Sequence, residues 1–288
     1  MTGRIMLTLL VVIPAAMAYP WQTTLDWWLV GIAVAVAIVV FAWWRGTFVT
    51  TLAARRLALL RHTDEPRHQV QHSGTDAYTT VVLQVHSRHD DNLMLATLAG
   101  YLDRYGIRSE SVRVTHRDTP SGCATWVGLT FSAATNLTAL QARSKSIPLR
   151  ETAEVTLRRL ADHLRELGWS VSAADVVIPD VVGPELTERW KAVQDGDHGY
   201  LTCYAVTTDG DFAATLSDIR VAASTEVWTA VELTGSPARP AVAAVCAIRT
   251  DEVPSAVPLP ALRPLRGRQR IALAALHPET TERLIVRT

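Results

Sequence analysis

The sequence predicts an α+β protein, with two N-terminal transmembrane helices followed by a mixed α/β cytoplasmic domain. That domain is split βαβ-like in its first half and strand-rich in its second. Three observations carry the prediction. Residues Trp27 to Trp44 (WWLVGIAVAVAIVVFAWW) contain no charge and reach the roughly 17–25 residues that a bilayer-crossing helix needs. Arginines crowd the stretch immediately after them. Beyond residue 78 the apolar periodicity switches in the order strand, helix, strand, strand, helix, strand.

The membrane module is expected over residues 1–61, with spans at about 5–21 and 27–44. Trp27 and Trp28 at one end of the second span, and Trp43 and Trp44 at the other, are placed to anchor at the lipid headgroups, with Arg45 just outside. The first apolar run, Ile5 to Ala18, is shorter and holds Pro14. It is either a retained span or a cleaved signal, since Arg4 and the Ala16-Met17-Ala18 pattern also suit a signal peptide. The connector 19–26 has no basic residue, whereas Arg45, Arg55, Arg56, Arg61 and Arg67 follow the second span; this asymmetry places the large domain in the cytoplasm under either reading. Gly31, Ala35, Ile38 and Ala42 share one helical face, where small residues let another helix approach. After Trp44, Phe48, Val49, Leu52, Ala53, Leu59 and Leu60 recur at helical spacing among arginines, a basic amphipathic juxtamembrane helix.

A polar linker is expected at 62–77 and the cytoplasmic domain at 78–288, with two possible subdomains meeting near residue 180. Within it, residues 79–86 read as a strand and 91–105 as a helix closed by Gly106. Strands follow at 107–115 and 122–131. The clearest helix spans 149–167, with Ala153, Leu157, Leu160, Ala161 and Leu164 on one stripe and Gly168 past its end. Residues 169–178 complete the first half as a fourth strand. The second half is predicted as a short helix at 185–193 and strands at 200–206, 226–233, 242–248 and 271–276, with Asp209-Gly210 as a hairpin turn. The four prolines within 254–264 argue against regular structure there.

Composition removes several functions. Formal net charge is +0, so the chain has no bulk electrostatic reason to bind nucleic acid. Cys123, Cys203 and Cys246 are odd in number and far apart; each sits in a strand-like run and reads as a buried thiol acting as a small hydrophobe. No phosphate-binding, dinucleotide, metalloprotease or nucleophile-elbow motif occurs. The group His86, His89, Asp90 and Asp91 could ligate a metal, but an aspartate capping the helix at 91 explains it without one. Asp195-Gly196-Asp197 and Asp209-Gly210-Asp211 resemble the acidic pairs of metal-dependent sugar-nucleotide transferases, yet the central glycine marks each as a tight turn. No catalytic, cofactor-binding or metal-ligating residue is therefore assigned, and no small-molecule ligand is expected.

One stretch carries a family likeness. Arg189-Trp190-Lys191, four residues, Asp195-Gly196-Asp197, two residues, Tyr200-Leu201-Thr202, one residue and Tyr204-Ala205-Val206, together with two spans and a mixed cytoplasmic domain, resemble EccE, a membrane component of actinobacterial type VII (ESX) secretion systems. The helix 157–167 followed by Gly168-Trp169 is also similar to that family. The resemblance implies a non-catalytic subunit at the periphery of an inner-membrane complex with EccB, EccC and EccD, in which Trp190, Tyr200 and Tyr204 pack a core or a subunit contact. It also implies a fold compared with glycosyltransferases. A membrane-tethered glycosyltransferase-like enzyme and a membrane-anchored ligand-binding domain are the alternatives that the residues leave open.

Overall fold

The structure, a computed structural model, describes residues 43–44, 47–48, 77–86, 91–145, 147–174, 176–222 and 225–285. The chain divides into two compact units, Met1–Glu65 and Pro66–Thr288. In the first, Trp43–Trp44 (β1) pair antiparallel with Thr47–Phe48 (β2), Trp43 opposite Phe48. This corrects the expected helix at Trp43, Trp44 and Phe48: these bulky aromatic residues and Thr47 suit extended backbone, and the pairing satisfies it. The rest of the expected membrane module, including Trp27, Trp28, Gly31, Ala35, Ile38, Ala42 and Arg45, lies outside the described residues. No helix among the described residues is long and apolar enough to cross a membrane.

In the second unit, apolar residues at alternate strand positions and at helical spacing each bury one face, and a single large sheet results. Its elements begin with Tyr78–Val85 (β3), Asp91–Ala99 (α1), a 3-10 turn at Gly100–Leu102, and the short hairpin Asp103–Arg104 (β4) and Ile107–Arg108 (β5). Ser111–Thr119 (β6), Gly122–Ser132 (β7), Leu137–Arg143 (α2), Leu149–Glu166 (α3) and Val171–Ser172 (β8) follow. The second half holds Leu186–Glu188 (β9), Val193–Asp195 (β10), Tyr200–Val206 (β11), Phe212–Ala222 (α4), Val227–Ser236 (β12), Arg239–Thr250 (β13), Leu262–Pro264 (β14) and Gln269–Ala274 (α5).

The 10-stranded sheet runs β8-β3-β7-β6-β12-β13-β11-β10-β9, with β14 also on β11. Every pairing in it is antiparallel. Its first four strands have the order of a split βαβ arrangement, in which β3 and β6 are joined through α1 while β7 lies between them. The sheet does not stop there: β12 adds along β6, Val227 opposite Asp118 through Leu233 opposite Val112, so the segments on either side of residue 180 share one sheet.

One face of the sheet is covered by helices. Leu157, Leu160, Ala161 and Leu164 of α3 pack on Val81, Leu83 and Val85 of β3 and Leu129 of β7. Each buried leucine contributes about 1.5–3 kcal/mol of apolar transfer, which makes this stripe the main fastening of the first half. Leu216 and Ile219 of α4 do the same over Tyr204, Val231 and Cys246. The other face packs against α5, the chain after it and the residues before β9, through Trp126, Trp228, Leu201, Cys203, Ala272, Leu273, Val181 and Leu284.

Several expected elements are corrected. Residues 185–193 are not a helix but β9 and β10, joined by a turn in which the Arg189 N–H donates to Ala192 O at 2.8 Å. Pairing with β11 satisfies backbone groups that a helix this short would leave unstable. Residues 271–276 are not a strand: Ala and Leu are strong helix formers, and α5 buries Ala272 and Leu273 while Ile271 faces out. Asp209-Gly210 leads into α4, unexpected from sequence, rather than into a hairpin; Asp211 Oδ1 accepts the Ala214 N–H at 3.0 Å and caps that helix. The proline-rich stretch ends in a strand, β14, whose Pro264 lies opposite Tyr204. The fourth strand spans two residues, not ten. Cys123 is exposed at the start of β7, while Cys203 and Cys246 are buried as expected.

Candidate functional site

The stretch that carries the family likeness builds the far edge of the sheet. Within it the turn between β10 and β11 folds on Asp195, whose N–H donates to Gly199 O at 3.0 Å and whose carbonyl accepts the His198 N–H at 2.8 Å. Gly196 and Gly199 take φ of +50° and +83°, conformations open to glycine. Gly199 has a second reason: a Cβ there would lie 2.6 Å from Thr250 O.

The Asp195 side chain is buried, 3% exposed, and fully engaged. Its Oδ1 accepts the Gly183 N–H at 2.8 Å, and its Oδ2 meets Arg249 Nη1 at 2.9 Å. Arg249 Nε then donates to Glu226 Oε2 at 2.7 Å, while Arg117 Nε and Trp228 Nε1 donate to Glu226 Oε1 at 2.6 and 3.0 Å. Four strands or their ends are thereby tied in one chain of charge. Burial pushes the Glu226 carboxyl up, but the hydrogen bonds from Arg249 and Arg117 outweigh it and hold its pKa below the ordinary value.

A second network lies on the same face. Arg113 of β6 and Glu232 of β12 are 3% and 2% exposed and meet at 2.8 Å. Arg113 also donates to the carbonyls of Thr280, at 3.3 Å, and Glu282, and Glu232 Oε2 accepts the Leu284 N–H at 3.2 Å. Burial lowers the Arg113 pKa, and the adjoining Glu232 carboxylate opposes that shift. The pair thus fastens residues 280–284 across the sheet. Gly128 of β7 admits the same strap: a Cβ there would lie 2.7 Å from Pro278 O.

The remaining expected positions fall out as follows. Trp190 is half-buried beneath Gly267, where an added Cβ would overlap its ring. Tyr204 is buried in the core under α4, and Tyr200 lies beneath Arg189, 5.7 Å from ring centre to guanidinium. Asp195 and Asp211 are engaged in an ion pair and a helix cap, and Asp197 and Asp209 stand near the surface. His86 is exposed with its N–H on Ser170 O, and His89 and Asp90 lie outside the described residues. Among the described residues no group of three His, Cys, Asp or Glu could hold a metal ion.

Sequence reasoning missed Arg113, Arg117, Glu226, Glu232 and Arg249. Their signal was available: Arg113, Thr115 and Arg117 alternate with Val112 and Val114, so charges point from a strand whose other face is apolar. A strand buried on both faces then needs opposite charges elsewhere in the fold.

Residues 119–206, which include this turn, match the EccE family, described as a type VII ESX secretion system translocon. The chain is 46% identical to the ESX-3 secretion system protein EccE3 of Mycolicibacterium smegmatis, covering 99% of this chain and 90% of that protein. It is 47% identical to the ESX-3 secretion system protein EccE3 of Mycobacterium tuberculosis, covering 98% and 86%. The chain belongs to the EccE family. The Asp195 turn and the strap are thus parts of an EccE sheet, and their carboxylates are consumed by guanidinium and amide partners within it.

Proposed function

We propose that this EccE protein is a non-catalytic structural subunit of the inner-membrane core complex of a type VII secretion system, stabilising the assembly at its periphery. The observation that carries the reading is the 46% identity to an ESX-3 secretion system protein along 99% of the chain. The site chemistry supports it. Asp195, Glu226 and Glu232 are committed to ion pairs that hold the sheet, which leaves them no role in binding a metal or a diphosphate.

Under this reading the apolar segment that begins at Trp27 and precedes the Trp43–Trp44 strand anchors the chain in the membrane, Gly31, Ala35, Ile38 and Ala42 face a neighbouring helix, and the domain from residue 78 lies in the cytoplasm beside EccB, EccC and EccD. Blue-native electrophoresis of mildly solubilised membranes tests it: the protein is expected in a large assembly, and migration as a lone monomer overturns the reading. Mass spectrometry of proteins co-purified with a tagged copy then names the neighbours. A C-terminal reporter active only when exported would refute the cytoplasmic placement.

A further inference from the structure

At one end of the sheet the described strands cover β3 only in part. Ala133 N–H donates to Ala77 O at 2.9 Å, so the odd-numbered residues of β3 bond to β7, and the even-numbered ones point their backbone groups the other way. His86 N–H, on that other side, donates to Ser170 O at 2.8 Å, and β8 covers only Gln84 and Val85. No described strand reaches Thr80 or Val82 from that side.

The chain had the residues to cover this edge and does not use them. After Ser172, whose hydroxyl donates to Ala174 O at 2.9 Å, it leaves the edge so that Val176 and Ile178 can pack on the opposite face. What remains is an open cleft of about 610 Å³ in line with β8, between α3 on one side of the sheet and Glu279 of the strap on the other. Its floor is the β3 edge, and its walls include Leu157, Val171, Ala173 and Val176. Walls above and below a strand edge that no described strand pairs at Thr80 and Val82 make a slot for one more strand.

The rim decides what kind of strand fits. Arg150, Arg158 and Arg165 border the cleft, against Glu154 and Glu279. Arg150 is taken by Glu154 at 3.1 Å and Arg165 by Asp162 at 2.7 Å, whereas Arg158 has no carboxylate within ion-pair distance among the described residues. We propose that the open edge of β3 takes up an extended segment of a partner protein in which apolar and acidic residues alternate, adding it to the sheet as a strand. Backbone groups of Thr80 and Val82 bond the guest, its apolar side chains turn to the face where Val176 packs, and its acidic ones turn to the α3 face, where one meets Arg158. This rests on the reading of the chain as an assembly subunit.

The test titrates the full-length chain in detergent micelles with the peptide acetyl-Val-Glu-Val-Asp-Val-Thr-amide, and with the same peptide carrying Lys in place of Glu and Asp. Amide exchange is read by mass spectrometry over residues 78–85. The acidic peptide is expected to slow exchange there, the Lys peptide to leave it unchanged, and Arg158→Glu, an exposed change that spares the fold, to weaken the acidic peptide by about threefold to tenfold. Thr80→Pro removes an edge donor, together with the hydroxyl contact to Thr130 at 3.0 Å, but leaves the backbone bonds to β7, and is expected to abolish the protection; Thr80→Val, which loses the hydroxyl alone, is expected to keep it. The inference is overturned if neither peptide protects the segment, if both do so equally, or if protection grows with protein concentration alone, which would mean a second copy. If the peptide fails while the chain still migrates with the secretion complex, only the edge assignment falls; if it binds while the chain migrates alone, only the subunit reading falls.

Discussion

Glu232→Ala should be among the most damaging single changes outside the apolar core. It leaves the Arg113 guanidinium 3% exposed with its carboxylate partner gone, and it orphans the Leu284 N–H. Arg283 loses its 3.7 Å contact to the same carboxylate, but Glu110 remains to it at 3.4 Å. Removing one member of a buried ion pair costs about 3–5 kcal/mol, because the surviving charge has lost water and gained nothing. Replacing both members with apolar residues of similar volume, Arg113→Met with Glu232→Leu, should recover most of that loss, since no charge is then stranded. The strap would still lose its donors to Thr280 and Glu282. The assay is urea unfolding of the purified full-length protein followed by near-UV circular dichroism, joined to amide exchange over residues 277–285. The single variant should lose about 3 kcal/mol or more, and the double variant should be nearly as stable as the parent yet exchange faster in the strap. A single-variant loss under about 1 kcal/mol, or a double variant as crippled as the single one, would refute the assignment of this pair as a buried clamp.

Gly128→Ala puts a methyl 2.7 Å from Pro278 O and should cost about 1–3 kcal/mol, with faster exchange in residues 277–285 as the local sign. Glu226→Gln should flatten the acid limb of the stability curve: the folded pKa is lowered from 4.5, so its contribution is complete above about pH 4.5 and is lost as pH falls through the folded value. Urea midpoints measured from pH 3 to 7 check this, and an unchanged slope in the variant counts against it. Tyr101 and Tyr204 should ionise late, near pH 12, because burial disfavours their phenolates, so absorbance titration of Tyr204→Phe should lose amplitude at the alkaline end. Asn substitution at Asp197, Asp209 and Asp211 should leave secretion at the parental level, whereas Asp195→Asn should weaken the domain by removing the charge opposite Arg249.

The first half of the domain was legible because each element states itself in a window of a dozen residues. Leu157, Leu160, Ala161 and Leu164 keep helical spacing, and Gly168, with φ of +89°, ends the chain direction where the sequence places it. The second half was not, because its elements are settled by neighbours far along the chain. Leu186, Trp190 and Val193 are spaced as on a helix, yet β11 offers the segment a backbone partner and takes it as strand. At 271–276 the buried positions Ala272, Leu273, Ala275 and Leu276 recur at i, i+3 and i+4 rather than alternating, which is the helical period, and the run is too short for that period to stand out in the sequence.

The ion networks were illegible for a related reason. Arg113 and Glu232 are 119 residues apart and look like ordinary surface charges until β6 and β12 are placed side by side. That pairing is also what joins the βαβ half to the rest of the sheet. A buried charge pair there tolerates few alternative registers: sliding β12 by one residue along β6 would turn Glu232 to the apolar helix face and leave Arg113 buried alone. By the magnitudes above, such a slip costs about as much as deleting the pair, so the network acts less as a source of net stability than as a penalty on misregistered sheets. The double apolar variant isolates this effect. It should be nearly as stable as the parent at equilibrium but refold with a larger fraction of slowly resolved or aggregated species, and clean refolding would show that the apolar pattern alone sets the register.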